Sequence, residues 1–346
     1  MNWKTFFGLS MVLLALLGCN PDDGAPPCVP EGDFQPGSVF VLNEGNFTFG
    51  NASVTYFNPT NGEERQTIFE ASNGVGPGDV AQSLTIVDQT GYLVVNNSQK
   101  IEKIDLNTFT VELTGTGFNS PRYLLPFGAT FGYVSDLYED QIYKVRLSSL
   151  DIAATIPVNG WVEKMIVVED KIWACHKDGN REVLILNPDN DQIESAIPLG
   201  VDPNDILLDD KNTIWVCGTK EAPDYNTMLY RIDQSSQQVT DSIEISNDQP
   251  IAWLAIDSTN NWVYLLSKTV SRFEISSSQL IEEPFVAPAT GTRFYSIEVA
   301  PNTGEVYLGD AKDYLQEGEV LRCATDGTLL GSFSTGIIPG RIVFYP

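Results

Sequence analysis

The feature that most constrains the fold is a unit of short apolar runs that recurs along most of the chain. Each unit has an apolar run, a tight turn, a second apolar run, a variable loop, an alternating run that ends in a polar turn, and a final short run. The second runs align best, and they are residues 38–41, 91–94, 132–135, 171–174, 213–216, 262–265 and 305–308. Four short strands per unit at a spacing of about 40–45 residues are typical of a β-propeller.

The positions of the first runs give the number of blades. These runs begin near Val80, Pro121, Trp161, Pro203, Pro250, Arg293 and Pro339. Residues 38–69 hold three runs and lack the innermost one, whereas the run at Pro339 has nothing after it. We therefore predict an all-β, seven-bladed β-propeller over residues 37–346, with four strands per blade and the first blade completed by the C-terminal strand. No segment after residue 37 has the apolar periodicity of a helix.

The amino terminus has the features of an export signal rather than of the propeller. Residues 1–18 contain Lys4 and then an apolar stretch of about a dozen residues, too short to span a bilayer. The stretch ends in Leu-Leu-Gly-Cys at Cys19, which resembles the lipobox of bacterial lipoproteins. An ordinary signal peptide that happens to contain a cysteine is the alternative. We expect Cys19 to be lipidated and residues 19–36 to form a flexible tether.

The residues after Cys19 bear on where the protein resides. Asn20 follows the cysteine, where an aspartate would favour retention at the inner membrane, and Asp22 and Asp23 come next. This acidic pair resembles the surface-export signal of Bacteroidota lipoproteins. The sequence therefore predicts a protein held at the outer membrane by a lipid anchor and exposed at the cell surface.

The charge balance excludes several functions. The chain has 46 Asp and Glu against 20 Lys and Arg, a formal net charge of −26 and one histidine. Such a chain repels phosphate backbones, so nucleic acid is excluded as a partner.

One histidine excludes multi-histidine metal sites, and we predict neither a metal nor a resident cofactor. We found no catalytic motif in a supporting context, so the chain is predicted not to be an enzyme unless His176 or an unrecognised carboxylate cluster acts. A solvated surface position is the favoured interpretation of His176.

The remaining cysteines show neither CxxC nor metal-site spacing. Cys175 and Cys217 occupy matching places in their repeats, where neighbouring sheets lie too far apart for a disulfide. We interpret both as buried free thiols. The sequence assigns no role to Cys28 or Cys323.

One face of the predicted propeller carries the long and variable loops. The loops between second and third strands and the connections between blades meet there, on what we call the long-loop face; the shorter turns lie on the opposite, short-turn face. Long loops on a rigid scaffold are where binding sites usually lie. Packing between blades is an equal alternative for Trp161 and Trp253. The candidate ligand-binding residues are Asn43, Phe47, Phe49, Asn97, Tyr138, Trp161, His176, Tyr225, Trp253, Lys268, Tyr295 and Tyr314.

A family resemblance begins in the first blade. The run Val-Leu-Asn-Glu-Gly-Asn-Phe at 41–47, followed by Ser-Val-Thr-Tyr-Phe-Asn-Pro at 53–59, resembles the opening of Bacteroidota propeller lipoproteins related to the YncE/YVTN-type propellers. That family includes the BtuG-type surface lipoproteins, which capture cobalamin and pass it to a TonB-dependent outer-membrane transporter. The resemblance implies a corrinoid ligand on the long-loop face and such a transporter as partner. A surface scaffold for glycan or protein, and a propeller hydrolase or lyase, are the alternatives.

Overall fold

The computed structural model describes residues 34–246, 253–257, 259, 261–281 and 283–346. The predicted signal peptide, the lipidation site Cys19, Cys28 and the strand start at Pro250 lie outside these residues. The described residues form seven four-stranded antiparallel sheets, one per blade, which confirms the predicted seven-bladed propeller.

The strands are numbered here in chain order. Blade 1 contains β1 (Val39–Asn43), β2 (Ser53–Asn58), β3 (Glu63–Arg65) and β28 (Pro339–Phe344); blade 2 contains β4 (Ala81–Val87), β5 (Thr90–Val95), β6 (Lys100–Asp105) and β7 (Thr110–Thr116). Blade 3 contains β8 (Pro121–Phe127), β9 (Phe131–Asp136), β10 (Gln141–Arg146) and β11 (Ile152–Pro157); blade 4 contains β12 (Val162–Val168), β13 (Lys171–His176), β14 (Glu182–Asn187) and β15 (Gln192–Pro198).

The other three blades follow the same order. Blade 5 contains β16 (Pro203–Leu208), β17 (Thr213–Thr219), β18 (Thr227–Asp233) and β19 (Gln238–Ile245); blade 6 contains β20 (Trp253–Ile256), β21 (Trp262–Leu266), β22 (Val270–Glu274) and β23 (Gln279–Leu280); blade 7 contains β24 (Phe294–Val299), β25 (Val306–Asp310), β26 (Glu317–Cys323) and β27 (Leu329–Ile337). The innermost strands, β28, β4, β8, β12, β16, β20 and β24, surround the central channel.

The ring closes through the C-terminal strand, as predicted. Strand β28 pairs antiparallel with β1, and Val343 lies opposite Phe40. Blade 1 therefore combines the two ends of the propeller sequence, and this pairing closes the ring.

The burial pattern explains why the repeat was visible in the sequence. The second strand of each blade is buried almost throughout, as in β1 and β5, because a neighbouring blade covers each of its faces. The outermost strands alternate between exposed and covered residues, as in β15, because one face meets solvent. Continuous apolar runs therefore mark the second strands, and alternating runs mark the outermost strands.

A short helix, α1 (Ile68–Asn73), lies between β3 and β4, where the sequence predicted only a loop. Its two large apolar residues, Ile68 and Phe69, are buried in the core shared by blades 1 and 2. Six residues are too few to show a helical apolar stripe, which explains the error. Gly74 ends the helix with φ 74°, in the left-handed region that favours glycine. No described helix has the length and apolar character needed to cross a membrane.

The packed structure begins before the predicted domain boundary at residue 37. Phe34 is buried, and its ring makes an edge contact with Tyr56 at a centroid distance of 5.0 Å. Its backbone nitrogen also donates a hydrogen bond to the Asn107 carbonyl. The end of the predicted tether is thus part of the propeller.

The cysteines of the second strands behave as predicted. Cys175 and Cys217 are free and fully buried, in the cores on the two sides of blade 5. Burial raises the pKa of both thiols well above the ordinary value, because the thiolate would lose its hydration. Cys323 is also free and buried, in the core between blades 6 and 7.

Candidate functional site

A β-bulge recurs at the long-loop end of the inner strands. Six of the seven inner strands show it among the described residues. In each of them, the register of pairing with the second strand shifts by one residue near the start of the inner strand. A bulge inserts one extra residue and re-aims the side chains beside it. The bulged segments supply charged and polar residues that line the channel or meet one another there: Gln82, Arg122, Tyr123, Glu163, Lys164, Tyr295 and Arg341.

Arg122 links three consecutive blades at this level. Its guanidinium donates two hydrogen bonds to Glu163 Oε1, at 3.0 and 2.7 Å, and a third to Gln82 Oε1. Glu163 is 2% exposed, so the ion pair lies away from bulk water. Burial alone would lower the pKa of Arg122, but the Glu163 carboxylate raises it above its usual range. Arg122 therefore stays charged.

Lys164 and Asp205 form a second ion pair in the channel. The Lys164 Nζ atom lies 2.5 Å from Asp205 Oδ1, and Asp205 also accepts hydrogen bonds from the backbone nitrogens of Ile206 and Leu254. Burial by itself would lower the pKa of Lys164. The negative charge of Asp205 and its hydrogen bond outweigh burial, so the pKa of Lys164 is raised above its ordinary value. This pair joins blades 4 and 5 and reaches blade 6.

Glu44 and Tyr295 meet at the mouth of the channel. The Tyr295 hydroxyl donates a hydrogen bond of 3.2 Å to Glu44 Oε2. Burial raises the pKa of Glu44, and the positive charges of Arg122 and Arg341 oppose this only in part. The pKa of Tyr295 is raised as well, first by burial and then by the Glu44 carboxylate.

Arg341 reaches across the channel from β28. Its guanidinium carbon lies 3.9 Å from the centroid of the Trp253 ring in blade 6, and it donates a hydrogen bond to the Tyr123 hydroxyl in blade 3. An arginine between two aromatic rings gains cation–π attraction. Among the described residues, no carboxylate forms an ion pair with it.

A cavity of about 590 Å³ lies directly beyond these residues. Lys164, Asp205, Tyr123, Trp253 and Arg341 border it on one side. The second halves of the inner strands form its walls, and its lining extends to Asp257 and Pro301, just past the ends of β20 and β24. The cavity therefore extends toward the short-turn face, opposite the face that the sequence favoured.

Glu298 also lines this cavity, and it forms no ion pair among the described residues. It lies on β24, and its Oε1 accepts a hydrogen bond of 3.1 Å from the Val299 nitrogen. Burial raises its pKa to about 7, although Lys164 and Arg341 act in the opposite direction. The group is therefore about half protonated at neutral pH.

The long-loop face carries exposed apolar side chains around blades 1 and 7. Phe47 and Phe49 are 61% and 76% exposed, and Val75 and Leu315 are 66% and 73% exposed. We call these four residues the apolar rim. Tyr138, which is 66% exposed, lies on the same face in blade 3. Rings that protrude to this degree contribute nothing to the core, so packing does not explain them.

Hydrogen bonds hold the loops of the rim together. Asn46 Nδ2 donates to the Tyr314 carbonyl at 2.6 Å, which ties blade 1 to blade 7. The Thr48 nitrogen and Asn97 Nδ2 both donate to Asp79 Oδ2, at 2.8 and 2.6 Å, which ties blade 1 to blade 2. The structure thus brings the predicted residues Phe47, Asn97 and Tyr314 into one connected region.

Tyr295 connects this region to the channel. Its ring makes an edge contact with Tyr314 at a centroid distance of 5.8 Å, and its hydroxyl reaches Glu44. Arg293 lies 5.0 Å from the Tyr314 ring. An aromatic path therefore runs from the rim to the buried charges.

Two predicted site residues lie inside the protein. Asn43 is fully buried and donates hydrogen bonds to Ser53 and Thr55 within blade 1, so it supports the blade rather than a ligand. The expectation of a solvated His176 is wrong, because this residue ends β13 and is 3% exposed. Its Nδ1 lies 2.9 Å from Glu182 Oε1, and its Nε2 is enclosed without a hydrogen-bond partner among the described residues. A substrate would have no access to it.

The other predicted residues lie on separate blades. Trp161 is half-buried below the Lys177 ammonium, which lies 4.9 Å from its ring. Tyr225 borders a second cavity of about 420 Å³ between blades 4 and 5, together with Lys177, Arg181 and Lys220. Lys268 is exposed after β21. Trp253 both packs against the core between blades 6 and 7 and lines the channel.

The charged residues of the channel were missed in the sequence. Arg122, Glu163, Asp205 and Arg341 all lie within three residues of the start of an inner strand. A charge at the start of an otherwise apolar run, repeated from unit to unit, was the available signal. Loop length points to the long-loop face and carries no information on these inner-strand positions.

Comparisons with known proteins identify the family and the fold. A family model described as "Domain of unknown function (DUF5074)" matches residues 37–319. No curated protein matches the chain.

Three solved structures resemble this propeller at low sequence identity. A quinoprotein alcohol dehydrogenase-like protein from Bacteroides thetaiotaomicron has a TM-score of 0.70 and 14% identity, over 90% of this chain and 79% of that one. A 6-phosphogluconolactonase candidate from Bacteroides fragilis has a TM-score of 0.68 and 13% identity, over 90% of this chain and 98% of that one. Hydrazine synthase from Kuenenia stuttgartiensis has a TM-score of 0.63 and 13% identity, over 73% of this chain and 85% of that one. At these identities the likeness concerns the fold alone.

Proposed function

This chain belongs to the DUF5074 family, and from its geometry we propose that it is a non-catalytic binding protein whose contact surface is the long-loop face. The observation that carries the proposal is the apolar rim. Four large apolar side chains, each more than 60% exposed, stand together on loops that hydrogen bonds fix. Exposed apolar patches of this kind mark interaction surfaces.

The chemistry of the rim suits an amphipathic ligand. Phe47 and Phe49 supply flat apolar area, and the polar side chains of Asn46 and Asn51 belong to the same loop. Asn97 lies in a loop of blade 2 and donates to Asp79, which also binds the Thr48 nitrogen. Aromatic rings next to hydrogen-bonding groups contact ligands that present both apolar and polar edges. The hydrogen bonds between loops keep the rings in place, which lowers the entropy lost on binding.

A corrinoid is the first ligand to test, because the opening blade resembles that of the cobalamin-capturing lipoproteins. A corrin is a broad, flat ring surrounded by amide side chains, so it would lie across the rim and leave the channel empty. In this proposal the protein is anchored at the outer membrane by a lipid on Cys19 and passes the ligand to a TonB-dependent transporter.

Calorimetric titration with cyanocobalamin tests the ligand. We expect saturable binding that falls at least tenfold in the double variant Phe47→Ser/Phe49→Ser. The matched control is Leu329→Ser/Leu330→Ser, which removes two side chains that are 58% and 52% exposed at the start of β27, on the short-turn face. An equal loss of cyanocobalamin affinity in both double variants, or no binding of cyanocobalamin by the unchanged protein, would contradict a corrinoid ligand on the rim.

A glycan ligand is the second candidate, and the cavity beside Tyr225 favours it. This cavity of about 420 Å³ presents a tyrosine ring together with Asn204, Lys177 and Arg181. An aromatic ring surrounded by hydrogen-bonding side chains is typical of sugar sites. Binding of oligosaccharides that Tyr225→Ala abolishes and Phe47→Ser leaves unchanged would support a glycan-binding surface protein instead.

The anchor is tested in cells. Metabolic labelling with a radioactive fatty acid should label the protein, and Cys19→Ala should remove the label. Protease added to intact cells should digest the unchanged protein if it is exposed at the surface. Absence of label, or protection from protease, would contradict the proposed location.

A further inference from the structure

The cavity on the short-turn side of the channel has a composition that neither the rim nor the second cavity shares. Leu124, Leu254, Ile297 and Ile342 supply apolar wall. Lys164, Asp205 and Arg341 lie at its inner end, and the carboxyl groups of Glu298 and Asp257 line it farther along. A volume of about 590 Å³ lies in the range of cavities that enclose a small organic ligand. The cavity thus combines cations at its inner end with apolar wall and two further carboxyl groups.

The three cations that meet in the channel differ in their partners. Arg122 is paired with Glu163, and Lys164 is paired with Asp205. Arg341, by contrast, meets two aromatic rings and donates to the Tyr123 hydroxyl, with no ion pair among the described residues. A guanidinium has five N–H donors in a planar fork that matches a carboxylate. Arg341 therefore keeps donors for an anion that enters the cavity.

We propose that this cavity binds a small organic carboxylate, whose charged end pairs with Arg341 and whose apolar body lies along the channel wall. Trp253 and Tyr123 hold the guanidinium between them, so its orientation is set before the ligand arrives. Preorganisation of this kind favours binding because less rotamer freedom is lost. The site is independent of the apolar rim.

The net charge of −26 does not argue against an anionic ligand at this position. Charges on the surface are screened over about 8 Å at physiological ionic strength. The ligand would meet Arg341 at contact distance inside a channel where water is restricted, and the interaction there is stronger. The acidic exterior slows the approach of the ligand and leaves the pairing at the site intact.

Glu298 makes the site sensitive to pH. The charged groups that act on it are Lys164, Asp205 and Arg341. Its pKa of about 7 means that it is neutral at pH 6 and ionised at pH 8. The ionised form would repel a bound carboxylate, so affinity should fall by about tenfold between pH 6 and pH 8 if only the neutral form binds.

Calorimetry of the purified protein with benzoate and with benzamide tests the site. These probes share a ring and differ in charge, so we expect saturable binding of benzoate and at least tenfold weaker binding of benzamide. Arg341→Met should weaken the binding of benzoate at least tenfold. Arg231→Met should leave it unchanged, because Arg231 also lies over an indole, that of Trp215, but does not line this cavity. Glu298→Gln should remove the dependence on pH.

Any one of the following outcomes would overturn the proposal. They are equal affinity for benzoate and benzamide, unchanged benzoate binding in Arg341→Met, and no saturable binding of benzoate up to millimolar concentration. Tighter binding of inorganic phosphate than of benzoate would also refute a carboxylate site.

A second variant covers the case in which Arg341→Met fails to fold. Ile256→Trp, on the cavity wall, fills the space and keeps every charge, so it should also abolish benzoate binding. Retained binding in this variant would count against the site.

Discussion

The guanidinium carbon of Arg341 lies 3.9 Å from the centroid of the Trp253 ring, although the two residues belong to blades 1 and 6, which are not neighbours. The same side chain donates a hydrogen bond to Tyr123 in blade 3. Arg341 therefore connects three separate blades across the channel. Most contacts in a propeller join adjacent blades, so this residue adds a link that the repeat itself does not provide.

Removal of the Trp253 ring should weaken this link. We expect Trp253→Leu to lower the free energy of unfolding by about 1–2 kcal/mol, because the cation–π contact of a partly buried arginine is lost. Trp253→Phe keeps a ring and should cost less. Urea unfolding followed by circular dichroism measures both, and equal stability of the leucine and phenylalanine variants would contradict a cation–π role.

Neutralisation of Glu163 should be costly. The Glu163→Gln variant leaves Arg122 buried without its counter-charge, which should lower the free energy of unfolding by about 3 kcal/mol. The control is Glu221→Gln, since Glu221 pairs with Arg181 at the surface and its side chain is 78% exposed. That variant should cost less than about 1 kcal/mol. Similar losses in the two variants would show that burial of the Arg122 pair has no special effect.

Glu298 should make stability fall as pH rises. Burial raises its pKa from 4.5 to about 7 in the folded protein, so the folded state binds more protons than the unfolded state between these values. Its contribution is therefore fully present below pH 4.5 and is lost as pH rises through about 7. Urea unfolding at pH 5 and pH 8 should show a larger loss for the unchanged protein than for Glu298→Gln. Parallel behaviour of the two proteins would assign the effect to other groups.

A methyl group at Gly340 should disturb the channel mouth. A Cβ atom there would lie 2.5 Å from Glu44 Oε1 and 2.7 Å from its Cγ, so Gly340→Ala must displace the carboxylate that Tyr295 contacts. We expect a loss of about 1–3 kcal/mol in the free energy of unfolding. Gly76→Ala is the control, because the nearest atom to its Cβ is 3.9 Å away. Unchanged stability of Gly340→Ala would show that Glu44 moves without cost.

The candidate site was predictable only in part. Phe47, Phe49 and Tyr138 were placed on the long-loop face from loop length, and the structure shows their side chains exposed there. His176 was misjudged because a histidine near a polar loop gives no sign that the end of β13 is covered. The channel charges were missed because Arg122 and Glu163 occupy equivalent positions in different repeats, and their contact depends on the circular arrangement of the blades.

The sequence by itself determined the number of blades, the four strands in each and the closure by the C-terminal strand. These features follow from apolar periodicity, which is local and repeats with the strand. Only the tertiary structure decided which buried charges meet, which cation keeps free donors and where the cavity opens. Arg341 and Tyr123 are 218 residues apart, and they meet because seven sheets close into a ring whose inner strands face one another across the channel.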